Sequence, residues 1–128
     1  LYLFISIDNH SIFKRSEENL YYELPVSISN ASLGTTVEVP SIDGGKSKIK
    51  IPSGTQHGKQ FRLKGKGMPV LRRNIFGDLY IRIVTQVPTS LTKRQKEILE
   101  EFNSIETNKP DPVIKNFFEK AKKFWKGS

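Results

Sequence analysis

Through its first ninety residues the chain alternates apolar and polar side chains almost one for one, and after Pro88 the spacing changes to threes and fours. Alternation has period two and belongs to half-buried strands, whereas spacings of three and four belong to a helix wetted on one side. One kind of secondary structure cannot serve the whole chain, so it divides into a β part and a helical part. Leu1, Leu3, Ile5 and Ile7 share one strand face, and Leu20, Tyr22, Leu24, Val26 and Ile28 make a second. Pro25 has no N–H for a ladder, which puts its strand at an edge or gives it a bulge. Residues 30–34 predict one helical turn closed by Gly34. Residues 35–39 and 46–51 flank Asp43-Gly44-Gly45, a hairpin turn because glycine tolerates positive φ. In that hairpin Ile49 and Ile51 face inward and Lys46, Lys48 and Lys50 outward. Phe61 and Leu63 repeat the pattern, and Leu79, Ile81 and Ile83 form the last strand.

Leu79-Tyr80-Ile81-Arg82-Ile83 repeats Leu1-Tyr2-Leu3-Phe4-Ile5 at the leucine, the tyrosine and the final isoleucine. No methionine opens the chain and its first seven residues already read as a strand. It is therefore expected to begin inside a longer protein, just where a preceding β-unit closes.

In the helical part Thr92 and Gln95 have capping-box spacing, and Leu91, Ile98, Leu99 and Phe102 recur on one stripe. A polar linker is expected over residues 103–109. Asp111 and Pro112 then supply a cap and a first-turn proline. The second helix carries Val113, Ile114, Phe117, Phe118, Ala121, Phe124 and Trp125. That is more apolar surface than a two-helix tail on a small domain can hide. Leu91, Ile98, Leu99, Phe102, Val113, Ile114, Phe117, Phe118, Phe124 and Trp125 are therefore expected to be shared with a second copy.

The 128 residues suit a single small core, and the absence of cysteine removes disulfides, thiolate metal sites and cysteine nucleophiles together. Only His10 and His57 remain as soft ligands, too few for a zinc site. The net charge of +8 is uneven: residues 1–43 sum to −4, residues 44–73 to +9, residues 74–90 to zero and residues 91–128 to +3. A block of +9 suits nucleic acid or an acidic surface, but Lys46, Lys48 and Lys50 are already explained as an outward strand face. Gly54-Thr55-Gln56-His57-Gly58-Lys59-Gln60 fails as a phosphate loop. It has three residues between its glycines where four are needed, and a glutamine where a hydroxyl should follow the lysine. Asp8, His10 and Ser11 are neighbours in sequence, but nothing suggests the convergence and oxyanion site that a triad requires.

Several ordered motifs carry a resemblance. His10-Ser11-Ile12-Phe13-Lys14-Arg15, Asn19-Leu20-Tyr21, Ala31-Ser32-Leu33-Gly34 and Val39-Pro40-Ser41-Ile42-Asp43-Gly44 are followed by Ile51-Pro52-Ser53-Gly54-Thr55-Gln56, Phe61-Arg62-Leu63-Lys64-Gly65-Lys66-Gly67-Met68-Pro69 and Gly77-Asp78-Leu79-Tyr80. Together they resemble the C-terminal substrate-binding region of the DnaJ family of bacterial J-domain co-chaperones. Leu91-Thr92-Lys93-Arg94-Gln95-Lys96 and Phe117-Phe118-Glu119-Lys120-Ala121-Lys122-Lys123-Phe124 resemble the family's dimerisation segment.

The resemblance implies a co-chaperone that holds unfolded polypeptides and delivers them to the ATP-driven chaperone DnaK. The family's J-domain His-Pro-Asp tripeptide and its zinc-binding CxxCxGxG repeats do not occur here, so zinc belongs to the full-length protein and this chain is expected to hold no cofactor. The implied fold is mainly β: an antiparallel β-sandwich-like domain with C-terminal amphipathic helices. Residues 1–13 are expected to be the closing strand of the preceding β-unit and a linker, 14–90 the second C-terminal β-domain, and 91–128 the helical dimerisation segment. The expected partners are a second copy, unfolded clients and, in the full-length context, DnaK, in the cytoplasm. Leu20, Tyr22, Leu24 and Val26 are candidates for weak client contact, although such positions are more often core. No enzymatic activity and no membrane partner are expected. The alternative is a basic β-domain binding nucleic acid, and a third reading has the basic second helix lying on a membrane surface.

Overall fold

The computed structural model describes residues 12–70 and 73–127. The strand expected over residues 1–7, with Asp8, His10 and Ser11, lies outside the described residues. The chain divides into two compact units, residues 1–88 and residues 89–128.

The first unit runs β1 (Lys14–Ser16), β2 (Asn19–Ser27), α1 (Ile28–Leu33), β3 (Thr35–Pro40), β4 (Lys46–Ile51), β5 (Gln60–Leu63) and β6 (Leu79–Gln86). Its larger sheet has the order β1-β2-β6-β5, and β3 and β4 form a separate two-stranded ribbon. The ribbon is the hairpin expected around Asp43-Gly44-Gly45, with Val37 opposite Ile49 and Gly44 at φ 91°. The pairs β1·β2, β3·β4 and β5·β6 are antiparallel, whereas β2 and β6 run parallel from Leu20↔Leu79 to Ser27↔Gln86. The larger sheet is therefore mixed. Parallel neighbours need a crossover, and here it contains α1, the ribbon and β5. Alternation has the same period in either strand direction, which is why the sequence pattern does not reveal the parallel pair.

The core forms where the inner faces of sheet and ribbon meet. β2 contributes Leu20, Tyr22 and Val26, β6 contributes Leu79, Ile81 and Ile83, and the ribbon contributes Val39, Ile49 and Ile51, joined by Phe13, Ala31 and Met68. Lys46, Lys48 and Lys50 point outward from β4, as alternation requires. β1 covers β2 only at Asn19–Tyr21. Among the described residues, the remainder of that edge has no strand beside it, and Pro25 sits on the open stretch, where its missing N–H costs least.

Two glycines fix how the β1–β2 turn meets the connection to β6. Gly67 and Gly77 lie against the Glu18 backbone so closely that a methyl on either would overlap it. The contact is sealed by Met68 N–H donating to the Glu18 carbonyl at 2.7 Å and Gly67 N–H to the Gly77 carbonyl at 2.8 Å. Asp78 accepts from Arg62 Nε at 2.6 Å and from Gly65 N–H at 3.0 Å. The Gly65 hydrogen bond first, then the Arg62 guanidinium, hold its carboxyl below the usual carboxylate range.

The second unit holds α2 (Lys93–Asn108) and α3 (Pro112–Gly127). The capping box closes α2 at its start: Gln95 N–H donates to Thr92 Oγ1 at 3.1 Å and Thr92 N–H to Gln95 Oε1 at 2.9 Å. The linker expected over residues 103–109 is instead helical as far as Asn108. Its polar side chains fit a helix by turning back on it, Ser104 Oγ to the Glu101 carbonyl and Thr107 Oγ1 to the Asn103 carbonyl. Asp111 caps α3 through Val113 N–H at 2.9 Å, ahead of Pro112 at the first helical position.

Candidate functional site

Within the second unit the apolar stripes have no partner. Neither helix contains a buried residue. On α3, Val113, Ile114, Phe117, Phe118, Phe124 and Trp125 are each more than half exposed. On α2, Ile98 and Phe102 are exposed and Leu99 is half-buried, and Leu91 just before the helix is exposed. Ile105, also exposed, extends the same stripe, three residues past Phe102 and seven past Ile98. It falls in the stretch whose polarity suggests a linker, and that spacing is the signal for it. Phe117 and Phe118 meet edge to face at 5.1 Å, which stiffens the middle of the α3 stripe. An exposed contiguous apolar stripe of this kind marks an interaction surface.

In the β unit Ile12, Leu33, Ile75, Phe76 and Val87 are exposed, whereas the candidate client residues lie inside. Leu20, Tyr22 and Val26 are buried and Leu24 packs against the core. Phe13 lies edge-on to the Tyr22 ring at 5.1 Å. The Tyr22 hydroxyl is buried with no hydrogen-bond partner among the described residues, and burial pushes its pKa up to about 12. The surface that β2 offers is its other face. There Tyr21 stacks on Tyr80 at 5.1 Å with ring planes 14° apart. The next row pairs Glu23 with Arg82 at 2.9 Å. Ile12, Lys14 and Gln60 complete an open groove of about 420 Å³ around them. Alternation implied that Tyr21 and Tyr80 would face outward, but not that parallel pairing would set them side by side.

His57 holds the chain together locally. Its Nδ1 accepts from Thr85 N–H at 3.1 Å, helping to tie the Gly54–Lys59 loop to β6. Gly58 N–H and the Ile83 carbonyl make a second tie at 2.8 Å. Among the described residues no cluster of three His, Cys, Asp or Glu side chains is placed to hold a metal ion. No helix of the described residues is long and apolar enough to cross a membrane. Of the basic block, Arg62 is engaged by Asp78 and Lys46 lies 3.9 Å from Glu38.

Comparison with known proteins agrees with both units. The family model described as DnaJ C terminal domain matches residues 1–88, and that described as Chaperone protein DnaJ C-terminal region matches residues 94–127. The chain is 62% identical over 126 residues to the chaperone protein DnaJ of Pelagibacter ubique, covering 98% of this chain and 34% of that protein. It is 50% identical over 128 residues to the namesake of Xanthobacter autotrophicus, covering 100% of this chain and 34% of that protein, and 47% identical over 127 residues to that of Brucella canis, covering 99% and 34%. The chain thus spans about a third of the length of the curated relatives it matches. With a β unit and a helical unit each matched in order, the chain belongs to the DnaJ C-terminal domain family.

Proposed function

We propose that this chain is the self-associating C-terminal part of a DnaJ-type chaperone, in which two copies joined through α2 and α3 tether two client-binding arms. The observation that carries the reading is the helical unit itself, which leaves both of its apolar stripes exposed. Joining two weak binding arms raises avidity through effective concentration without any new client contact. In the longer protein the clients are unfolded polypeptides, passed to DnaK in the cytoplasm. The chain itself is not an enzyme and holds no cofactor, and the zinc of the family belongs to segments outside it. Client contact within the β unit falls to the open edge of β2 and the neighbouring groove, where an extended segment adds a strand and rests side chains near Tyr21 and Tyr80. Leu20, Tyr22 and Val26 support that edge from inside.

Light scattering over a range of concentrations tests the reading. The intact chain should have twice the protomer mass, and a chain ending at Thr89, which keeps the whole β core, should have the protomer mass. A monomeric intact chain, or a dimeric truncated one, refutes it. Titration with a labelled unfolded protein tests the client role: binding should be weak and should leave ATP turnover by DnaK unstimulated.

A further inference from the structure

The strand registers lay out the outer face of the larger sheet in rows. One row runs Lys14, Tyr21, Tyr80 and Arg62 across β1, β2, β6 and β5, and the next runs Glu23, Arg82 and Gln60 across β2, β6 and β5. Neighbours within a row share a face and lie about 5 Å apart, and successive rows lie about 7 Å apart. The charges in these rows cancel, with one exception. Asp78 takes Arg62 at 2.6 Å and Glu23 takes Arg82 at 2.9 Å. Lys14 is exposed and in no ion pair among the described residues. The groove over the stacked tyrosines therefore has an apolar shelf and, on its β1 side, one unanswered positive charge.

We infer that this groove selects client segments in which an apolar side chain has a carboxylate two residues away, with Lys14 as the specificity-determining residue. The inference rests on the client reading above and names the client chemistry. In an extended segment the side chains of residues i and i+2 point to one side, about 7 Å apart, and that of i+1 points to the other. When the side chain at i lies on the tyrosine shelf, an Asp or Glu at whichever of i+2 and i−2 lies toward β1 faces the same surface. The flexible Lys14 stem brings its ammonium group to that carboxylate. A carboxylate at i+1 or i−1 points away from the sheet and gains nothing. A basic residue in place of the acid finds no free carboxylate, because Glu23 already holds Arg82, and it meets the like charge of Lys14.

Two labelled peptides of one composition test this with the whole chain. Both are short and carry serines and threonines around a central phenylalanine. One has aspartates two residues away on both sides, and the other has them immediately adjacent on both sides, so neither net charge nor strand direction distinguishes the pair. Fluorescence anisotropy should show the first binding about threefold more tightly, the worth of one exposed ion pair, and the difference should vanish at high salt. Lys14→Gln should abolish the preference and Lys14→Arg should keep it. Lys48→Gln, which removes the same charge from the outward face of β4, should leave the preference as it is. Equal affinities for the two peptides, a preference that survives Lys14→Gln, or one that falls equally in Lys48→Gln overturns the inference and leaves the client reading standing. Binding of neither peptide overturns the client reading itself, and the inference with it.

Discussion

Replacing Phe117 and Phe124 together by serine removes two rings from one stripe of α3 without touching the β core. Phe117 is 63% and Phe124 73% exposed in the protomer, so most of each ring is available for burial against a second copy. Full burial of a large apolar side chain is worth about 1.5 to 3 kcal/mol, and scaling by the exposed fraction leaves about 1 to 2 kcal/mol for each ring. A two-fold dimer loses four rings, so the cost is about 4 to 8 kcal/mol, or roughly three to six decades in Kd. The lower figure alone moves a micromolar dimer to millimolar, where at working concentrations only protomers remain. Sedimentation velocity over a broad concentration range measures the shift, and near-ultraviolet circular dichroism of the tyrosines, which all lie outside the helical unit, confirms that the β unit is intact. A double variant that dimerises within about tenfold of the parent Kd refutes the argument, since the arithmetic requires at least about a thousandfold. Loss of helix content in the variant at concentrations where the parent is also monomeric refutes it differently, by showing that the rings serve the protomer.

Three further outcomes follow from the β unit. Gly77→Ala forces its methyl into the Glu18 backbone and should cost about 3 kcal/mol in urea unfolding, whereas Gly44→Ala, open on all sides but at φ 91°, should cost about 1 kcal/mol. Equal effects would show that the Gly77 contact yields easily. Tyr22→Phe deletes a buried hydroxyl that has no partner among the described residues and should leave stability unchanged or raise it by about 1 kcal/mol. The same hydroxyl gives a pH signature. Its folded pKa of about 12 lies above the usual value near 10, so the hydroxyl leaves stability independent of pH below about pH 10 and makes it fall by about 1.4 kcal/mol per pH unit as pH rises toward 12. The alkaline loss should be smaller in Tyr22→Phe, and identical curves for the two proteins would disprove the assignment.

Much of this architecture was legible because it rests on local rules. The Asp43-Gly44-Gly45 hairpin, the outward lysines of β4, the glycine closing α1 and both caps of the helical unit each depend on a few adjacent residues. What escaped depends on distance along the chain. Leu20 meets Leu79 in a parallel ladder, and no period in either strand announces the direction of its neighbour. Gly67 and Gly77 follow β5 with no local signal of their purpose, because their reason is the Glu18 backbone far upstream. The tight β1–β2 turn has Glu17 at φ 56°, a conformation that glycine or asparagine would have advertised and glutamate does not. For the candidate site the helical stripes were readable as period, apart from Ile105, hidden among polar neighbours. The Tyr21–Tyr80 shelf was not readable, since it exists only through the parallel pairing.

The two units solve opposite problems, and the contrast bears on how such a chain works. The β unit gathers most of its strand-borne apolar residues into one core, and the outer face of β2 and β6 carries paired tyrosines and charges. The helical unit cannot satisfy itself, because two sixteen-residue helices with no buried residue have too little packing to offset the ordering of their own backbone. Its stability must therefore come from whatever covers α3. Folding of that unit and occupancy of its apolar face are then one equilibrium, and the helices are most fully formed where that face is covered.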